Sequence, residues 1–121
     1  MAEKITVLCY PSCSTCKKAL KWLDANGIDY DSRHIADDAP TAGELTAWIA
    51  ASGLPFKRFF NTSGKLYRSL DVKSRLEAGM NGEEAIELLA TDGLLVKRPI
   101  VVGDGFVLVG FREDEWAEKL H

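Results

Sequence analysis

The sequence has no apolar run approaching the ~20 residues that cross a bilayer, so no membrane-spanning helix is expected. It is poor in cysteine, with three in 121 residues. That small, odd count excludes the disulfide-dense scaffold of a small secreted domain. Histidine is scarcer still: His34 and His121 show no ligand-like spacing, and no metal site is expected. Positive charge is not in excess, since 15 Lys and Arg stand against 18 Asp and Glu. A net charge of −3 and a pI of about 5.4 give no global field toward nucleic acid or an anionic membrane surface. Repeats, low-complexity tracts and linkers are absent. Met1-Ala2-Glu3-Lys4 leads directly into an apolar run with no leader pattern, so no signal peptide is expected. A reducing cytoplasm is the expected setting, and there a Cys-x-x-Cys pair works in catalysis or sensing more often than in structure.

What is present suits one domain with a real core: 121 residues, 46% hydrophobic and 27% charged. The chain is organised around Cys13-Ser14-Thr15-Cys16. Before it, Ile5 to Tyr10 is apolar on both faces and reads as a central strand. After it, Ala19, Leu20 and Leu23 fall on one face of a helix that Gly27 ends. The cysteines therefore open a helix, where unpaired N–H groups and the dipole favour a thiolate. Cys13, first and in the loop, is the candidate nucleophile. Cys16, three residues on, is within reach to resolve an adduct on it. Two other readings stay open. Cys16 lies on the apolar face and would serve as an inert core thiol, and a Cys-x-x-Cys pair is also half of a zinc site whose other half is missing here. Cys9 is expected to stay outside the chemistry as a buried strand residue.

The remainder reads in order. A short polar strand spans about Asp29 to Ile35 and belongs near an edge. Thr41 and Glu44 fit a capping box for a helix carrying Leu45, Trp48 and Ile49. Asn61-Thr62-Ser63-Gly64 is turn chemistry; Asn61, Thr62 and Ser63 either contact a ligand or partner or simply cap the turn. Lys65 to Leu76 looks helical but choppy, with Tyr67, Leu70 and Leu76 as core contacts. Asn81 caps a helix with Glu83 and Glu84 in its first turn, ended by Asp92-Gly93. Ile100–Val102 and Phe106–Val109, joined by Gly103-Asp104-Gly105, form a hairpin. A last helix follows Phe111, with Trp116 and Leu120 on one side. The order β-α-β, helices, β-β-α gives an α/β four-stranded mixed sheet in a single domain. Its sheet-bearing parts are about 1–40 and 94–121. A helical insertion of about 41–93 sits to one side.

A Cys-x-x-Cys on a first β–α loop, with Pro99 before a terminal β-β-α, resembles the thioredoxin fold, which implies that Pro99 is cis and shapes a docking groove. More specifically, Tyr10 to Ala19, Phe59 to Gly64, Leu89 to Gly93, Lys97 to Val102 and Val109-Gly110-Phe111 together resemble the arsenate-reductase-like family. That family includes glutaredoxin-coupled arsenate reductases and Spx-type regulators. The resemblance implies a nucleophile at Cys13 and an oxyanion-contacting arginine at Arg98. Arg98 cannot lose its charge and can hold an anion through two N–H groups; the competing reading is a surface charge beside Lys97. Two further arginines of the reductases are replaced, one by Asn61 and one within Gly110-Phe111. Cys16 stands where those enzymes commonly have serine. The resemblance thus implies a thiol–disulfide oxidoreductase, or an Spx-type redox regulator that binds the RNA polymerase α-subunit, or a glutathione/glutaredoxin-dependent arsenate reductase. It also implies glutathione, glutaredoxin or thioredoxin as electron donor, with no bound cofactor; no direct nucleic-acid contact is expected, in keeping with the acidic pI, and a monomer is the default expectation.

Overall fold

The computed structural model describes residues 4–120. The readings of Met1-Ala2-Glu3 and of His121 lie outside the described residues. Strand β1 (Ile5–Cys9) is central, and all its residues but Thr6 are buried. Its alternation splits them between two cores: Leu8 faces one, and Ile5, Val7 and Cys9 face the other. β2 (Tyr30–His34) pairs with β1 in parallel. β3 (Ile100–Gly103) pairs with its other side antiparallel, and β4 (Phe106–Val109) closes the sheet against β3. The order β2-β1-β3-β4 is the mixed, thioredoxin-like sheet expected from the sequence. β2 is an edge strand, and its Asp31 and Ser32 are exposed, as its polar composition requires. In the hairpin Gly103 pairs with Phe106, so the loop is two residues and not three, with Gly105 at φ 81°.

Helices cover both faces. α1 (Ser14–Ala25) brings Cys16, Ala19 and Leu23 onto one face. Trp116 from the last helix, α6 (Glu113–Lys119), joins them against Val7, Val101 and Leu108. The opposite face is covered by the helical segment expected to sit to one side. α2 (Ala42–Ser52), α3 (Lys65–Ser69), α4 (Val72–Glu77) and α5 (Gly82–Leu89) make up that layer. Leu45, Phe59, Phe60, Val72, Ala85 and Leu89 pack there with Leu8, Ile35, Ile100 and Val109. The segment is therefore the second layer of the core, because the strand side chains on that face have no other cover.

Three local features differ from the sequence reading. Lys65 to Leu76 is two helices, broken at Asp71 in the left-handed region (φ 52°), a conformation Asp tolerates better than most residues. Tyr67, Leu70 and Leu76 sit half-buried at the core's edge, and Val72 is the fully buried residue there. Gly93 does not end α5; it begins a short 3-10 turn (Gly93–Leu95) capped by Asp92. A Cβ on Gly93 would collide with the Ile35 carbonyl, so this glycine is needed for close packing beneath β2.

Both capping boxes form. Glu44 N–H donates to Thr41 Oγ1 and Thr41 N–H to Glu44 Oε1, each at 3.1 Å; Asn81 and Glu84 repeat the pattern. Glu44 has a second task. Arg33 of β2 grips it with Nη1 and Nη2 at 2.8 and 2.9 Å, tying the edge strand to α2. The Arg33 hydrogen bonds hold the Glu44 carboxyl down to about 2.

Candidate active site

β1 delivers the chain to the site and stops. A tight turn follows, with Cys13 N–H donating to Tyr10 O at 3.0 Å. Cys13 is the N-cap of α1, with its side chain making no capping hydrogen bond. Its sulfur is half-buried, whereas Cys16, the third residue of the helix, is 1% exposed. The first turn of α1 points Cys16 back toward the end of β1. There Tyr10 N–H donates to Cys16 Sγ at 3.5 Å.

The thiol lowered to about 6 is Cys16. The largest cause is a hydrogen bond from Cys9; the Tyr10 N–H, a hydrogen bond from Cys13 and the Arg98 charge add to it, and burial opposes them. The sequence reading placed the stabilised thiolate at Cys13. Cys16 receives these donors because the first turn of α1 faces the end of β1. Cys9 is pushed far above the ordinary thiol value, first by its hydrogen bond to Cys16, then by burial and the Cys16 charge. Cys9 was read as a buried strand residue, and it is buried, in the same packed cluster as Cys16.

Strand register places Arg98. Leu8 pairs with Ile100, so the two residues before Ile100 run beside the end of β1. The Arg98–Pro99 peptide is cis, and Pro99 O accepts from Gly110 N–H at 2.8 Å. The Arg98 guanidinium lies over the Tyr10 ring, 5.2 Å from its centroid. Its Nε and Nη1 are buried and have no hydrogen-bond partner among the described residues. A surface charge would have both in water. Two buried guanidinium nitrogens without a partner are a standing cost that an anion would offset.

The central turn is stitched alongside. Asn61 N–H donates to Leu95 O and Lys97 N–H to Phe59 O, both at 2.7 Å. A cleft of about 470 Å³ results. Cys13 and Thr15 from α1, Asn61, Ser63 and Gly64 from the turn, and Lys97 and Arg98 line it. Thr62 is exposed and not part of the lining. Arg58 and Arg112 complete the cleft, so four cations and no carboxylate line it. The sequence reading counted Arg98 as the one matching arginine. Arg58 sits in a 3-10 turn (Phe56–Phe59) and Arg112 just before α6. The run Lys57-Arg58 carries no sequence signal for which side faces the cysteines. Tyr10 was also unassigned: it supplies an N–H to Cys16 and a ring to Arg98.

A thioredoxin-like sheet carrying a cysteine at the first helix start and an arginine beside a cis-proline defines the class. The chain belongs to the ArsC family, whose sequence profile matches residues 8–119. It is 57% identical to an ArsC family related protein of Bacteroides fragilis, with a TM-score of 0.93 over 98% of each chain. It is 40% identical to a possible arsenate reductase of Streptococcus mutans UA159, with a TM-score of 0.85 over 97% of this chain and 99% of that one. The regulatory protein MgsR of Bacillus subtilis is 28% identical over 95% of this chain and 89% of its own length.

Proposed function

We propose that this chain is a thiol–disulfide oxidoreductase acting on anionic disulfides such as glutathione disulfide, in a reducing cytoplasm. The observation that carries the reading is the pairing of Cys13 with the unsatisfied Arg98 guanidinium in a cleft free of carboxylates. Four cations attract a polyanionic substrate and orient its carboxylates. Cys13 passes its proton to the Cys16 thiolate it contacts and attacks one substrate sulfur. A bond forms between Cys13 and one glutathione; the other leaves as thiolate and takes the proton from Cys16. The Cys16 thiolate then attacks the Cys13 sulfur. This forms the Cys13–Cys16 disulfide and expels the second glutathione. Two cysteines are oxidised and one disulfide is reduced to two thiols. A dithiol protein of the glutaredoxin or thioredoxin kind, or glutathione itself, restores the pair. Pro99, beside Arg98, helps to shape the groove where such a donor docks, and Asn61 and Ser63 contact the bound substrate.

Intact mass after one equivalent of glutathione disulfide tests this. Wild type is expected to lose two hydrogens without retaining glutathione. Cys16→Ser should hold glutathione on Cys13, and Cys13→Ser should do neither. A wild-type chain that forms no internal disulfide overturns the proposal.

The same four cations favour a second reading, reduction of arsenate through glutathione and glutaredoxin. NADPH consumption with arsenate that disappears in Cys13→Ser would establish it. The likeness to MgsR favours a third, a redox-sensing regulator that binds the RNA polymerase α-subunit. A pull-down empty in both redox states removes that one.

A further inference from the structure

Cys9 is the thiol that neither the Cys-x-x-Cys motif nor the proposed reaction uses. It is 6% exposed, at the last position of β1, and packs in the same buried cluster as Cys16. Cys13 packs against the cluster that holds Cys9 and Cys16. The Tyr10 N–H, next along the chain from Cys9, holds the Cys16 sulfur at the strand end at 3.5 Å. A second cavity, of about 330 Å³, reaches this inner pair. Cys9 and Cys16 line it together with Tyr10, Pro11, Leu20 and His34. It shares no lining residue with the cationic cleft that contains Cys13.

We propose that Cys9 is a second resolving cysteine, which moves the disulfide inward from Cys13–Cys16 to Cys9–Cys16 and so frees Cys13. This rests on the oxidoreductase reading and extends it. The step is a thiol–disulfide exchange and needs no further oxidant. The Cys9 sulfur attacks the Cys16 sulfur, the Cys13–Cys16 bond breaks, and Cys13 leaves as thiolate and collects the Cys9 proton. One disulfide is lost and one gained. Oxidation of Cys16 also removes the thiolate charge and the hydrogen bond that hold the Cys9 proton in the reduced protein. Cys9 is thus inert until the outer disulfide exists, which orders the two steps. The freed Cys13 faces the cationic cleft again and reacts with a second substrate. The inner disulfide borders the apolar cavity, where a small thiol reductant reaches it without crossing the substrate cleft.

Exhaustive oxidation with glutathione disulfide, read by intact mass and fragment mapping, tests the exchange. With the relay, wild type ends with one internal disulfide and one glutathione, mapped to Cys13. The Cys9→Ala and Cys9→Val variants end with the internal disulfide and no glutathione. An internal disulfide without glutathione in wild type, or glutathione mapped to Cys9, overturns the relay and leaves the oxidoreductase reading standing. No internal disulfide at all overturns the oxidoreductase reading itself. The wild-type measurement decides without depending on how the Cys9 variants fold.

Discussion

At the scale of single residues, Arg98 and Cys16 act on stability in opposite directions: two Arg98 nitrogens are buried without a partner, whereas the lowered Cys16 thiol favours the folded chain as pH rises. Arg98 buries two N–H-bearing nitrogens without partners. Replacing Arg98 by an apolar side chain of similar length removes the desolvation cost of its two unpartnered nitrogens. Arg98→Met is therefore expected to keep or raise the melting temperature in anion-free buffer. It should slow reaction with glutathione disulfide about 10- to 100-fold, the loss of one charge-assisted contact. A melting temperature that falls together with the rate would assign Arg98 a structural role instead. Cys16 sets a pH dependence. Its folded pKa of about 6 lies below the ordinary thiol value of 9.0. Between those values the unfolded chain holds a proton that the folded chain has shed, so stability rises with pH across that window. Above it, Cys9 acts with the opposite sign, because its proton is retained only in the folded chain. Urea unfolding measured from pH about 6 to about 9 should show the rise in wild type and lose it in Cys16→Ser.

At the scale of elements, the site depends on contacts far from the cysteines. The 3-10 turn Gly93–Leu95 brings Leu95 under the central turn, where Leu95 O receives the Asn61 N–H. Gly93 permits that approach by leaving room for the Ile35 carbonyl. Gly93→Ala forces that backbone apart, and a cost of about 3 kcal/mol is expected, the upper range for overpacking. Chemical denaturation measures it. A change under about 0.5 kcal/mol, the ordinary surface value, would mean the turn yields freely. A displaced turn also shifts Lys97, whose N–H donates to Phe59 O, and with it the wall of the cationic cleft.

At the scale of the whole molecule, the sheet is one layer between two helical layers, each packed on its own core. Residues 41–93 bury the face bearing Leu8, Ile35, Ile100 and Val109. A chain joined from about residue 40 to about 94 keeps every strand and every cysteine yet exposes that face. It is expected to lose its cooperative melt and bind a hydrophobic dye, as followed by calorimetry and dye fluorescence. A cooperative melt from this shortened chain would make the helical segment a true appendage.

Local pattern was enough for much of this protein. Thr41-x-x-Glu44 and Asn81 gave helix starts because a cap is satisfied by neighbours in sequence. The alternation around Asp104-Gly105 gave the hairpin, and the apolar run before Cys13 gave the central strand, since both follow from backbone geometry a few residues long. The pairing of Cys13 with Arg98 came from resemblance and not from spacing. Tertiary structure alone decided what depends on contacts between distant segments. It placed Arg58 and Arg112 on the cleft, because which way a basic side chain faces depends on the surface behind it. It made Gly93 a packing residue, because the Ile35 carbonyl comes from another element. It lowered the Cys16 pKa and set Cys9 beside Cys16, because a pKa is set by the donors and charges that surround a sulfur in space, and those arrive from β1, the first turn of α1 and Arg98 together.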